Sequence, residues 1–248
     1  MSVMAEYDGG TAQQPEVALP HQIDHSHADV TGGWLRAATF GAMDGLVSNT
    51  ALIAGVAATA GAQTVVLSGV AGLLAGSFSM ALGEYTSVTT ANEQIDSEVR
   101  AERLAFERHP HAEKVELIAM LMDMGMTEET AGRAADEIHL DEDKAVHFHL
   151  SQELGVDPRE KPSAMVAAVS SFLMFAVGAI IPLLPYLLGA QALWPGLVFG
   201  GVGLLVAGAV AARFTKGSLW FGAGRQLVFG VVAIAATYLV GMLVGHVL

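Results

Sequence analysis

Ala37-Ala-Thr-Phe-Gly-Ala-Met43-Asp44-Gly-Leu-Val-Ser48-Asn49-Thr-Ala-Leu-Ile-Ala-Gly-Val-Ala-Ala-Thr-Ala60 is long and apolar enough to cross a bilayer, yet it carries a carboxylate. A second apolar stretch ends in Ser79-Met80-Ala-Leu-Gly-Glu84-Tyr85, with a second carboxylate. An ionisable group at membrane depth costs several kcal/mol, so it faces a protein interior, a cavity or an ion path. Met43 and Met80 stand close to these acids in sequence, and thioether sulfur suits soft or borderline metals. Ser48, Asn49 and Tyr85 add oxygen ligands. Two readings are open for the acids: neutral groups hydrogen-bonded between helices, or a cation path through Asp44, Met80, Glu84, Met43, Ser48, Asn49 and Tyr85.

Outward from this stretch the apolar segments repeat. Asp44 is the only charge from Ala37 to Gly83, and no charged residue occurs from Pro162 to Ala212. Gln226 to Leu248 is a further apolar run. The predicted fold is an all-α polytopic membrane protein with five transmembrane helices near 37–60, 65–91, 163–188, 193–212 and 227–247. Gly61-Ala62-Gln63 is read as the first turn, and Pro182 and Pro185 are expected to break the third span twice. The 28 glycines suit close helix packing in a bilayer, and the absence of cysteine excludes disulfides and thiolate sites. Residues 1–33 are polar, lack an apolar signal-peptide core, and are read as a tail whose His21, His25 and His27 are a weak metal-attracting cluster or incidental.

Between the second and third spans lies a polar block, 93–160, with 18 Asp/Glu against seven Lys/Arg. It holds most of the net charge of −13, repels nucleic acid and attracts cations. The 12 basic residues fall on one side of the five-helix topology, which by the positive-inside rule puts the N-terminus and this block in the cytosol and the C-terminus outside. The block reads as three helices: a charged extension of the second span to Arg108, a helix from Ala112 to Met124 stopped by Gly125, and one from a Thr127 N-cap toward His149. The domains are then a 1–33 tail, spans 1–2 over 34–92, the cytosolic three-helix domain over 93–160, and spans 3–5 over 161–248.

Glu98 with Glu102, and Glu113 with Glu116, each share one face of a helix. If the His109-Pro110 turn folds those helices together, four carboxylates converge on a site for divalent cations, completed by His149 and Glu153; otherwise they are a solvated acidic face. The Glu-x-x-His pairs of di-iron oxidases are missing, with only Asp24…His27 and Asp136…His139 near that spacing. This weighs against an iron-oxidising enzyme. A membrane metal sensor is the other rival, and it has no need of acids at membrane depth.

Several strings together resemble the vacuolar iron transporter family: Gly33-Trp-Leu-Arg36-Ala-Ala38, Phe40-Gly-Ala-Met-Asp44-Gly-Leu-Val-Ser48, Ser79-Met80 with Gly83-Glu84-Tyr85, His111-Ala-Glu113…Glu116, Glu153-Leu-Gly155 and Ala179-Ile-Ile-Pro182-Leu-Leu-Pro185-Tyr186. The resemblance implies a homodimer with its path at the subunit interface. It implies proton-coupled export of Fe²⁺ from the cytosol, with manganese as the close alternative cargo. No permanently bound cofactor is expected. By motif, Asp44, Met80 and Glu84 are then path residues, and Glu102, Glu113, Glu116 and Glu153 collect metal. Ala105 and His149-Leu150 depart from the family pattern, where a glutamate and a methionine pair are expected. A prokaryotic plasma membrane is the expected location.

Overall fold

The computed structural model describes residues 33–153, 155 and 157–247, with side chains through 244. The tail histidines His21, His25 and His27 lie outside the described residues. The described residues form eight helices and no strand: α1 Trp34–Ala57, α2 Ala62–Arg108, α3 Pro110–Asp123, α4 Glu128–Ile138, α5 Glu142–Glu153, α6 Ala164–Leu187, α7 Trp194–Phe214 and α8 Leu219–Val247. Five of them, α1, α2, α6, α7 and α8, are long and apolar enough to span a membrane. The chain is a multi-pass helical membrane protein.

The spans pack where glycine lets backbones touch. A Cβ on Gly45 would stand 2.2 Å from the Phe175 carbonyl oxygen, and one on Gly178 2.3 Å from that of Ala42. Helices α1 and α6 therefore cross in backbone contact, as small residues permit in lipid. Ile53, Val65, Leu183 and Tyr186 close the far end of this contact as a buried cluster.

Four sequence expectations are corrected. Helix α6 runs unbroken through Pro182 and Pro185. A proline inside a membrane helix is tolerated where neighbouring helices pack around it, and Pro182 and Pro185 are both buried. The first turn lies before Ala62, which already belongs to α2. Helix α8 begins at Leu219, eight residues ahead of the expected 227, because the Ser218 hydroxyl accepts from the Phe221 N–H at 3.5 Å and starts it early. The helix expected from Thr127 to His149 is two, α4 and α5, broken at His139-Leu140-Asp141. There the Asp141 carboxylate accepts from the Lys144 N–H at 3.2 Å and starts α5 afresh.

The second span does extend through the polar stretch. Helix α2 is 47 residues long, and after Gly83 no glycine or proline interrupts it before His109-Pro110. Pro110 then takes a first-turn position of α3, where its missing N–H costs nothing. Thr127 caps α4, its hydroxyl accepting from the Thr130 N–H at 3.4 Å, and Gly125 makes the preceding turn at φ +98°.

Candidate metal sites

Three side chains from three helices meet beside the polar end of α2. Phe106, Ala145, Val146 and Leu150 seat α5 on α2, and Leu117, Leu121, Ala131 and Ala135 seat α3 on α4. This packing aims Glu102 of α2, Glu113 of α3 and His149 of α5 at one point, with ligand atoms all within 4.8 Å of one another. His149 Nδ1 is 3.2 Å from Glu102 Oε1 and 3.7 Å from Glu113 Oε2. His149 is fully buried, and neither ring nitrogen nor Glu102 Oε1 has a hydrogen bond.

Burial and mutual proximity dominate the electrostatics of this group. Burial, followed by the charges of Glu153, Glu113 and Glu116, pushes the Glu102 carboxyl up to about 7. Glu113 and Glu153 are raised by burial and by neighbouring glutamates. Burial, with His139 adding to it, holds His149 down to about 4, so near neutral pH it is a neutral imidazole with a lone pair to give. Glu116 and Glu153 are exposed and act on the trio through charge. Glu98 is exposed and stands outside the trio. Two carboxylates and a neutral imidazole suit a divalent transition cation.

A second site lies within the spans. A cavity of about 230 Å³ is lined by Asp44, Ser48 and Asn49 of α1, by Gly72, Gly76, Ser79 and Met80 of α2, and by Phe175 of α6. Gly72 and Gly76 leave its floor open: a Cβ at Gly72 would meet Asn49 Oδ1 at 3.2 Å, and one at Gly76 would strike the Phe175 ring at 2.2 Å. The Asn49 amide is buried and tied at its nitrogen to Ala179, leaving Oδ1 unpartnered. The Ser48 hydroxyl donates to the Asp44 carbonyl at 2.6 Å and keeps its own lone pairs. A carboxylate, a thioether, an amide oxygen and hydroxyls around one cavity are a ligand set for a partly dehydrated cation.

The other membrane residues named from sequence lie elsewhere. Met43 points to an apolar groove with Leu46, Met174, Val177 and Val202. Tyr85 is 43% exposed. Glu84 is buried and bonded to Arg36 at 2.8 Å, pairing the starts of α1 and the mid-length of α2. Sequence reading missed this pair, and it missed Phe175 and the two glycines, Gly72 and Gly76, that shape the cavity. The pair joins residues 48 apart on two helices, so no local spacing signalled it.

The fold defines a multi-pass helical membrane protein, with a polar cavity at Asp44 in its spans and a cluster of Glu102, Glu113 and His149 outside them. Residues 35–242 match the VIT family, and the chain belongs to that family. It is 34% identical to the vacuolar iron transporter of Acanthamoeba castellanii, over 86% of this chain and 79% of that protein. It is 29% identical to vacuolar iron transporter 2 of Oryza sativa subsp. japonica, over 87% of this chain and 89% of that one. A VIT-like transporter 1b of Glycine max is 30% identical over 90% and 82%.

Proposed function

We propose that this protein is a transporter that exports divalent iron from the cytosol in exchange for protons, with Mn²⁺ as a second cargo. The observation that carries this reading is the convergence of Glu102, Glu113 and the unpartnered, buried His149 on one point. Relatives named as iron transporters support iron as the cargo. The bias of basic residues supports a cytosolic polar bundle and an external C-terminus, and the membrane of this reading is a prokaryotic plasma membrane.

In this scheme the polar bundle collects the cation, with Glu116 and Glu153 raising its local concentration by charge. The ion then passes to the cavity at Asp44, Asn49 and Met80. Protons arriving from the outer side compete for Asp44, because a protonated acid is a poor ligand, and so release the metal. Met80 gives preference over Mg²⁺ and Ca²⁺, which take oxygen alone. Glu84, held by Arg36, sits toward the entrance and acts on the ion through charge. A homodimer is the working unit, joined along the outward face of α2 that Leu67, Leu74, Phe78 and Leu82 leave exposed.

Proteoliposomes with an imposed pH gradient test the scheme. Fe²⁺ flux is expected to require the gradient, to vanish in Asp44→Asn, and to fall on the order of tenfold or more in Met80→Ala. Gradient-independent flux overturns the antiport. Metal binding without any flux favours the sensor instead.

A further inference from the structure

His139 is a histidine that the scheme above leaves without a part. It ends α4, and its Nδ1 lies 2.9 Å from the Ala135 carbonyl oxygen one turn back. A carbonyl only accepts, so this bond sets the tautomer: Nδ1 carries the proton and Nε2 keeps a lone pair. That Nε2 is buried and has no hydrogen-bond partner. A buried acceptor left without a partner is costly, and a ligand removes the cost.

The ring's neighbours point the same way. It stacks on Phe106 with 5.2 Å between centres, and Phe106 meets His149 edge-on at 5.0 Å. The His139 and His149 ring centres are 5.9 Å apart. With metal–nitrogen bonds of about 2.1 Å, two imidazoles on one ion have centres roughly 5–6.5 Å apart. His139 is also near enough to act electrostatically on both Glu113 and His149. A ligating histidine whose other nitrogen donates to a backbone carbonyl is a common arrangement at metal sites. His139 stands outside the trio whose ligand atoms lie within 4.8 Å of one another, its ring centre 5.9 Å from that of His149. The chain leaves α4 directly after His139, with Leu140 86% exposed.

We propose that His139 Nε2 is a further metal ligand, which makes the polar site a two-imidazole, carboxylate site for borderline transition cations such as Fe²⁺, Co²⁺ and Zn²⁺. The proposal rests on reading Glu102, Glu113 and His149 as a metal site. A second imidazole favours these ions over Mn²⁺, which follows the order of affinities for nitrogen ligands.

The test titrates the purified full-length protein with Co²⁺ and, separately, with Mn²⁺, following Co²⁺ d–d absorption. His139→Gln is expected to weaken Co²⁺ binding on the order of tenfold or more and to change the Co²⁺ spectrum. Mn²⁺ affinity should change less than about threefold. His139→Phe preserves the stack on Phe106, so the same loss in that variant assigns the effect to the nitrogen. In protein carrying ¹⁵N-imidazole histidine, Zn²⁺ should shift the Nε2 signal that is missing from the His139→Gln spectrum. An unmoved signal, or Co²⁺ binding unchanged in both His139 variants but lost in Glu102→Gln and His149→Ala, overturns the part of His139 and leaves the trio standing. Binding unchanged in all four variants overturns the trio and the proposal with it.

Discussion

Glu102 joins the chemistry of the polar site to its stability. Its carboxyl, pushed up to about 7, holds a proton in the folded protein where the unfolded chain has already lost one. The stability tied to that proton is present below about pH 4.5 and is lost as pH rises through about 7. His149 runs the other way: with its folded value near 4, its contribution is present above about pH 6.5 and is lost as pH falls through about 4. Metal binding must displace the Glu102 proton, so affinity for Fe²⁺ or Co²⁺ is expected to fall up to about tenfold per pH unit below pH 7. Titrations at pH 6, 7 and 8 check this. Glu102→Gln should raise the melting temperature of the metal-free protein at pH 8 and flatten the pH dependence of any binding that remains. A steep pH dependence surviving in that variant would move the linked proton to another group.

Among the elements, the contact of α1 with α6 carries the clearest stability forecast. Gly45 and Gly178 meet carbonyl oxygens, not flexible side-chain ends, so a methyl group there forces the backbones apart. Gly45→Ala is expected to destabilise by about 1–3 kcal/mol, the usual range for overpacking. Gly83→Ala is the control. A Cβ at Gly83 meets nothing within 4 Å, and alanine in a helix interior is expected to gain about 1 kcal/mol. Unfolding in mixed micelles, followed by far-ultraviolet dichroism, separates the two. Because Gly45 follows Asp44 directly, the shift should also reshape the cavity and lower flux. Equal stability of the two variants would show that the helices separate without cost.

For the whole molecule the exposed surface of α2 is the open question of assembly. Leu67, Leu74, Phe78 and Leu82 recur along one side of the helix and are between 49% and 71% exposed. The chain has no cysteine, so single-cysteine variants report proximity cleanly. Phe78→Cys is expected to cross-link into a disulfide dimer under mild oxidation, and Val232→Cys on α8 to stay monomeric. Efficient cross-linking at 232 alone would place the interface on α8. The Arg36–Glu84 pair offers a second test at this scale. Arg36→Glu leaves two acids facing each other and should lower both yield and flux, and adding Glu84→Arg should restore at least the yield. Failure of the double variant to recover assigns Arg36 a part beyond pairing.

Much of the architecture was legible in the chain, because lipid imposes simple conditions. A run of about 20 residues with almost no charge has few options other than a spanning helix, and Ala37–Gly83 and Pro162–Ala212 satisfy that condition by composition alone. The continuation of α2 into the polar stretch was readable from the absence of glycine and proline between Gly83 and His109. The prolines of α6 misled because propensity describes a helix in isolation, and burial of Pro182 and Pro185 among neighbouring helices alters the cost. Local capping at Asp141 broke the last polar helix where hydrophobic spacing ran on through it. Candidate ligands were visible as residue types, but selection among them depended on which side chains the packing turns inward. Glu113 and His149 are buried against α2, whereas Glu98 one turn before Glu102 stays exposed. Met43 and Met80 look alike in sequence, and only the packing of α1 and α2 with their neighbours sends one to the apolar groove and the other to the cavity. The chain by itself determined the membrane, the helices and the inventory of ligands, since these follow from transfer free energies and local propensity. The tertiary structure alone decided which ligands meet, because convergence depends on contacts between residues as far apart as Glu102 and His149.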